Sequence, residues 1–480
     1  MANFLFDLAV ISLFALAGIG LSFFISCIRE KEKRASILAG CQLTGMLILL
    51  LFLFYLEKIG FFETWFGLTL LSLVIIFGAL ALFFLFRRTG TNPKALQGTT
   101  GLICGEVKRY DEREIVFARN RSLRPGSKQF ETFYQDHPEY LEYDNLRREK
   151  GGPLGRLGSI DRPHEEPNAA ATLASLSIPF HLSRPEIFKP NPNPHFGGNK
   201  ILIPAEEASL RVKEYARNLG ADLVGITEIN SNWLYSHRGE IFHENWDEWG
   251  REIKLEEKYA IVFATEMSFC MVQTAPHSPT TIESMKNYAQ CAYIGTQLAA
   301  FISNLGYSAT ANHLRHYDAL MVPLAVDAGL GELGRLGYLM TREFGPRIRL
   351  GAMTTDIPLI ADKPVDIGVG DFCRICKKCA VCCPSGSIPL GEQKEVNGTL
   401  RWKLNAETCF EYWGKVGTDC NVCMHVCPWS HARTLPHRLI VAFVSRNPLS
   451  RRIFALMDDI FYGRKPKPKA PPKWARYNGL

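Results

Sequence analysis

The sequence predicts an α/β domain preceded by three membrane-spanning helices and followed by a small cysteine-rich module. Three observations carry that prediction. Long uncharged apolar stretches lie near the N-terminus, strand-like and helix-like segments alternate between residues 201 and 366, and eight cysteines crowd into residues 373–427. A chain of 480 residues with 47% hydrophobic content can bury a sizeable core. The composition shifts set the boundaries: a three-helix anchor at 1–90, a lead-in and linker at 91–200, the α/β domain at 201–366, the cysteine module at 367–435 and a basic tail at 436–480.

The apolar stretches are Phe4–Cys27, Ser36–Leu56 and Trp65–Phe86, each about 20 residues long with almost no charge, which is the length that crosses a hydrocarbon core. No basic segment precedes the first, and two more follow it, so a secretory signal is a poor reading. Arg29, Lys31, Lys33 and Arg34 occupy the first joint, and Arg87, Arg88 and Lys94 follow the third stretch, whereas the second joint has Lys58. The positive-inside rule then places the N-terminus outside and everything beyond residue 90 in the cytoplasm, as a multi-pass protein of the cytoplasmic membrane. The first histidine is His137, so the anchor lacks the usual axial ligand of haem b. Its role is to hold the protein at the membrane, or to meet a quinol or a partner subunit. The net charge of +7 is modest. Much of it sits beside the spans and in Arg464, Lys465, Lys467, Lys469, Lys473 and Arg476, a tail that reads as a disordered segment touching anionic lipid; no nucleic-acid partner is expected.

Residues 91–200 are polar and carry Gly151-Gly152-Pro153 and the run Asp161–Pro167, which predicts an extended lead-in. A helix is expected from Pro204 to Gly220, and strands at Asp222–Thr227, Tyr259–Thr265 and Arg347–Thr354. Thr281–Leu305 carries Ile282, Met285, Ala289, Ala292, Ala299 and Ile302 on one helical stripe. Such alternation defines an α/β domain. Gly329-Leu-Gly331-Glu-Leu-Gly334 matches G-x-G-x-x-G, but Gly337, Gly345 and Pro346 interrupt the helix that would hold a pyrophosphate. A tight loop approaching some other large cofactor explains these glycines equally well.

The first cysteine block is Cys373-x-x-Cys376-x-x-Cys379-x-x-Cys382-Cys383-Pro384; the second is Cys409, ten residues, then Cys420-x-x-Cys423-x-x-x-Cys427-Pro428. Three closely spaced thiolates with a distant fourth hold a 4Fe-4S cube, and in two-cluster ferredoxins each run lends its last cysteine to the other cube. The spacing assigns Cys373, Cys376, Cys379 and Cys427 to one cluster and Cys383, Cys409, Cys420 and Cys423 to the other, with Cys382 spare. Zinc needs no triple run followed by Cys-Pro. Disulfides would need an oxidising compartment and would be strained at this spacing. The module is therefore a ferredoxin-like wire for single electrons.

Four further segments stand in order ahead of the cysteines: Asn304–Tyr307, Ala325–Arg335, Thr341–Arg349 and Thr355–Asp366. The series resembles the corrinoid-dependent reductive dehalogenases over roughly residues 200–435. The related epoxyqueuosine reductases share the Gly-rich loop, the Asp-Ile-Pro-Leu segment and the paired clusters. The resemblance implies a cobalamin-like corrinoid held between a nitroreductase-like α/β domain and the two 4Fe-4S clusters, with the loop of Gly329, Gly331 and Gly334 approaching it. No Asp-x-His-x-x-Gly occurs, in keeping with a family that holds the corrinoid without a lower histidine.

The implied reaction is replacement of a halogen on an organohalide by hydrogen, with two electrons from the clusters and one proton. The resemblance places the proton donor at Tyr288 and its arginine partner at Arg349. A phenol has an ordinary pKa of about 10, and a close guanidinium favours phenolate. Tyr288 also lies on the apolar side of its helix, where a core aromatic would sit, and Arg347 competes with Arg349 from the same strand face. The third pocket residue falls among Asn312, His313 and His316, of which His316 is taken. A quinol, a ferredoxin or a membrane protein would supply the electrons. Two other readings fit the same motifs: an epoxyqueuosine-reductase-like enzyme acting on tRNA, and a membrane electron-transfer protein without corrinoid.

Overall fold

The computed structural model describes residues 2–150, 166–193 and 199–476. The Gly151-Gly152-Pro153 turn and most of the Asp161–Pro167 run lie outside the described residues. The chain forms two compact units. One comprises Met1–Thr91, Ile367–Cys376 and His431–Pro466, and the other Asn92–Asp366, Lys377–Ser430 and Lys467–Leu480.

In the first unit, α1 (Ala2–Arg29), α2 (Lys33–Lys58) and α3 (Trp65–Phe86) coincide with the three apolar stretches. Thr64 caps α3, its hydroxyl accepting from the Gly67 amide at 3.1 Å. All three are long and apolar enough to cross a membrane. Ile11, Leu51 and Phe77 are 65–69% exposed, an apolar surface that suits lipid rather than water.

The region expected to begin a basic tail is helical up to Tyr462. Leu435–Arg446 and Pro448–Tyr462 are helices joined at Asn447, whose side chain accepts from the Leu449 amide at 2.8 Å. Ile440, Phe443 and Val444 form a short helical stripe that the surrounding basic residues obscure in the sequence. Phe443 packs edge-on against Phe86 (centroids 4.8 Å apart), and Phe461 against Phe23 (5.3 Å). In the same unit Arg451 reaches Asp371 at 3.2 Å, tying the second of these helices to the helix Val369–Cys376.

The second unit is built on a four-stranded sheet in the order β1-β2-β6-β3. Here β1 is Leu223–Glu228, β2 Tyr259–Glu266, β3 Ala309–Asn312 and β6 Ile348–Thr355. Two small ribbons complete the set, β4 (Glu332–Leu333) with β5 (Leu339–Met340), and β7 (Lys394–Val396) with β8 (Thr399–Arg401). The domain mixes helix and sheet as predicted, and the ladders of the main sheet are all antiparallel. The helix Ser278–Asn304 covers one face, packing Ile294, Leu298 and Ile302 with Ile226, Ile261, Phe263 and Met353. Ala260, Val262 and Ala264 face Leu324 and Phe344 on the other side. Burial on both faces is why β2 reads as an unbroken apolar run.

The expected extended lead-in is a set of short helices, Val116–Ser122, Lys128–Asp136, Leu141–Lys150 and Glu166–Leu182. Long-range polar contacts hold them in place. The buried Asp144 carboxylate meets Arg119 at 2.7 Å, Arg147 at 2.8 Å and the Tyr134 hydroxyl at 2.9 Å. Both arginines also reach Glu407, at 2.7 and 2.6 Å. Replacing Asp144 with alanine leaves two buried guanidiniums short of a counter-charge. Destabilisation by about 3–5 kcal/mol is expected, read as a lower denaturant midpoint of the detergent-solubilised protein. The tail beyond Pro466 docks on this unit, with the Lys469 amide donating to Gln273 O at 2.9 Å and Asn168 donating to Ala475 O at 3.3 Å.

Candidate redox site

In the second unit Cys383, Cys409, Cys420 and Cys423 lie close enough to couple electrostatically. Burial, and then the neighbouring Cys420, Cys409 and Cys383, push the Cys423 thiol well above the usual range. Burial and the adjacent Cys383 raise Cys409 to about 11. Four clustered, largely enclosed thiols do not ionise together without a cation among them, so this donor set fits an iron–sulfur core. Cys420 and Asn421 sit at φ +64° and +58°, a left-handed pair that turns the backbone sharply at the cysteine. Such a conformation costs a residue other than glycine roughly 1–2 kcal/mol.

The remaining cysteines are described within their own units. Cys373 and Cys376 are one turn apart on the helix Val369–Cys376 of the first unit, and both are buried. In the second unit Cys379 lies on the helix Lys378–Cys382 and Cys427 follows the helix Val422–His425; both are buried, while Cys382 is partly exposed.

Tyr288 and Arg349 are brought together. The Arg349 guanidinium carbon lies 5.0 Å from the centroid of the Tyr288 ring, within cation–π range. Tyr288 comes from the middle of the helix Ser278–Asn304 and Arg349 from the start of β6, which that helix covers. The guanidinium is held from behind: Nη2 donates to Ser284 Oγ at 2.7 Å, Asp419 at 3.2 Å and Asn421 Oδ1 at 3.2 Å. Asp419 in turn accepts from Thr281 at 2.9 Å, and Asn421 donates to Ser284 at 3.0 Å. Burial opposes the charge on Arg349, and Tyr288, Asp419, Tyr338 and Cys423 restore it, so the group stays a cation. Its buried Nε has no hydrogen-bond partner among the described residues.

Arg347 is engaged elsewhere, pairing with Glu266 at 2.6 Å and donating to Ser430 O at 3.1 Å and to Met267 O. The geometry thus separates two arginines that the sequence leaves in competition.

His316 is not among the groups around Arg349. It stacks on Phe188 with centroids 3.5 Å apart and lies 3.6 Å from Asp318. Asn312 accepts from the Asp318 amide at 2.8 Å. Burial and the nearby His316 drop His313 to about 3. These three residues brace the loop after β3. The glycines of the Gly-rich loop have packing reasons: a Cβ on Gly331 would lie 2.1 Å from Met340 O, and one on Gly329, at φ +74°, 2.4 Å from Lys363 O. A Cβ on Gly334 would press on the Met340 side chain at 2.6 Å.

Sequence reasoning passed over Ser284, Asp419, Asn421 and Tyr338. Tyr338 packs beside Cys423 and Met424. A usable signal existed in Asp419-Cys420-Asn421, two polar residues flanking one of the module's cysteines.

Residues 372–431 match the 4Fe-4S dicluster domain family. Fold and site therefore define an iron–sulfur protein with a mixed helix–sheet domain. Over 275 residues the chain is 33% identical to the tetrachloroethene reductive dehalogenase of Desulfitobacterium hafniense, a match covering 48% of this chain and 50% of that protein. The enzyme of the same name from Sulfurospirillum multivorans is 32% identical over 285 residues, covering 53% and 56%. A solved catabolic reductive dehalogenase superposes with a TM-score of 0.60 at 25% identity, over 76% of this chain and 48% of that one. The epoxyqueuosine reductase of Bacillus cereus is 33% identical over 106 residues, covering 21% and 27%. The chain is a reductive dehalogenase homologue carrying a 4Fe-4S dicluster domain. It spans about half the length of the curated relatives it matches.

Proposed function

We propose that this protein is a membrane-anchored reductive dehalogenase that replaces a halogen of a small organohalide, of the tetrachloroethene type, with hydrogen. The observation that carries the reading is the Tyr288–Arg349 pair, 5.0 Å apart and tied through Asp419 and Asn421 to the segment that bears Cys420 and Cys423. An acid and a cation are thereby fixed beside an electron source. The balance is R–X plus two electrons and one proton giving R–H and halide.

Two 4Fe-4S clusters are assigned, one on Cys373, Cys376, Cys379 and Cys427, the other on Cys383, Cys409, Cys420 and Cys423. A corrinoid bound over Tyr288, Arg349 and Tyr338 would supply the strongly reducing cobalt centre at which the carbon–halogen bond breaks. The buried Arg349 Nε is a donor such an amide-rich cofactor or its substrate can satisfy. The loop of Gly329, Gly331 and Gly334 shapes one wall. Tyr288 delivers its proton to carbon, and Arg349 stabilises the phenolate left behind. Ser284 and Asp419 keep the guanidinium aimed at the ring. His316 braces the pocket loop from outside the proton path.

The basic joints support a cytoplasmic catalytic unit, with a quinol, ferredoxin or membrane protein loading the clusters. A reporter fused after residue 90 is expected to be active only as a cytoplasmic reporter. The central test uses full-length protein purified anaerobically and supplied with corrinoid. Chloride release from tetrachloroethene with a low-potential viologen donor is expected. Protein with intact clusters that retains no cobalt, or that reduces epoxyqueuosine and releases no halide from any haloalkene or haloarene, would overturn the reading.

A further inference from the structure

A second constellation lies in the first unit, independent of the dehalogenase reading. Glu30 follows the C-terminal end of α1, and His431 and His437 flank the start of the helix Leu435–Arg446. A carboxylate oxygen and one nitrogen from each ring lie within 4.8 Å of one another. We propose that Glu30, His431 and His437 bind one divalent transition-metal ion of the Zn2+ class, clamping the C-terminal helices to the foot of the first membrane-spanning helix.

The donor chemistry suits such an ion, since two imidazoles and one carboxylate are a common zinc ligand set that leaves a fourth position for water or another donor. The supporting groups fit as well. His431 Nε2 is 2.7 Å from the buried Asp458 carboxylate, which leaves Nδ1 for the metal in a carboxylate–histidine–metal arrangement. His437 Nε2 is 2.8 Å from the Tyr462 hydroxyl, which leaves Nδ1, 3.8 Å from Glu30 Oε1, as the ligand atom. Metal–ligand bonds of about 2.0–2.1 Å put tetrahedral neighbours about 3.3 Å apart, so Glu30 and His437 need to close by about half an ångström, and the group as a whole, within 4.8 Å, by at most about 1.5 Å. Thr434 Oγ1, 2.7 Å from His437 Nδ1, is a hydroxyl that rotates away to admit the ion. The two rings are nearly parallel, 15° apart with centroids at 4.8 Å. Glu30, His437 and Asp458 side chains are 5–7% exposed, a burial that makes a shared cation more favourable than separate hydrated carboxylates.

The geometry assigns the ion a structural role, because its ligands and their supports come from three separate segments: the end of α1, the residues around the start of Leu435–Arg446, and the helix Pro448–Tyr462. The test uses untagged full-length protein in detergent, equilibrated with Zn2+, desalted, and analysed for zinc, iron and cobalt together. About one zinc per chain is expected, bound with a Kd of about 10⁻⁷ M or tighter in chelator competition. H431A/H437A is expected to lose the zinc and keep its iron, whereas a cluster variant such as C423A loses iron and keeps the zinc. Zinc below about a tenth of an equivalent, or equal zinc in wild type and H431A/H437A, overturns the proposal. Should the double variant fail to accumulate, E30Q decides: unchanged competition behaviour overturns the site, and a Kd weakened at least tenfold supports it.

Discussion

Tyr288→Phe is expected to slow dehalogenation by about 10²–10⁴-fold, the usual contribution of a positioned general acid, while iron and cobalt contents stay at wild-type levels. The substitution removes one hydroxyl and keeps the ring, so the contact with the Arg349 guanidinium, 5.0 Å from the ring centroid, survives. Retention of that contact separates the chemical role from packing. If Tyr288 were a core aromatic, phenylalanine would be nearly neutral, because the half-buried ring continues to fill its place on the helix Ser278–Asn304. The effect should fall on kcat rather than KM, since proton delivery belongs to the transition state and not to substrate binding. A decrease below about threefold with cofactors intact would remove Tyr288 from the mechanism.

Arg349 should behave differently. Truncating it leaves Asp419 buried without its guanidinium and disturbs Ser284 and Asn421, so Arg349→Gln is expected to lower both activity and the stability of the cluster segment. Arg347 carries no such coupling to Tyr288, because it is committed to Glu266 and two backbone carbonyls. The sequence reads both arginines onto one strand face, whereas Arg347 precedes β6 (Ile348–Thr355) and each arginine is distinguished by the partner it finds.

What could be read from the sequence follows from how local each signal is. The spans and the strands β1, β2 and β6 were legible because length, hydropathy and burial pattern act within a short window. The helices of residues 91–200 were not. Arg119, Asp144 and Arg147 look like solvated charges until Glu407, from the cysteine module, closes the network. The helices after Leu435 were hidden likewise, since Phe443 and Phe461 find their partners in Phe86 and Phe23, hundreds of residues away. At the site, cysteine spacing and a resemblance pointed to Tyr288, Arg349 and the thiols, and the fold brings Tyr288 and Arg349 together. Asp419 and Asn421 needed the fold, because what they contribute is a position behind Arg349 rather than a motif. His316 shows the converse case: chemically suited to a pocket, it is spent on Phe188 and Asp318.

The adjacent pair Cys382-Cys383 gives the sharpest contrast available in the module. Cys383→Ala and Cys423→Ala are each expected to lower iron from about eight to about four per chain, or by a single iron where a three-iron core persists, and to abolish turnover. Cys382→Ala is expected to change neither. The spacing of the module assigns ligation to Cys383, which is also among the groups that raise Cys423 and Cys409. A cube ligated by three thiolates has one iron without a thiolate partner in a site where burial already penalises charge, so the loss should come in one defined step and not be graded. The consequence reaches the chemistry through the short segment that carries Asp419 and Asn421. Once the cluster no longer enforces the left-handed turn at Cys420 and Asn421, the two groups holding Arg349 lose their fixed positions. Cys423→Ala should therefore weaken the Tyr288–Arg349 pairing as well as cut the electron path, and a chemical reductant delivered directly to the cobalt should restore little activity. Full rescue by such a reductant would show that the cysteine segment conducts electrons without positioning the proton donor's partner.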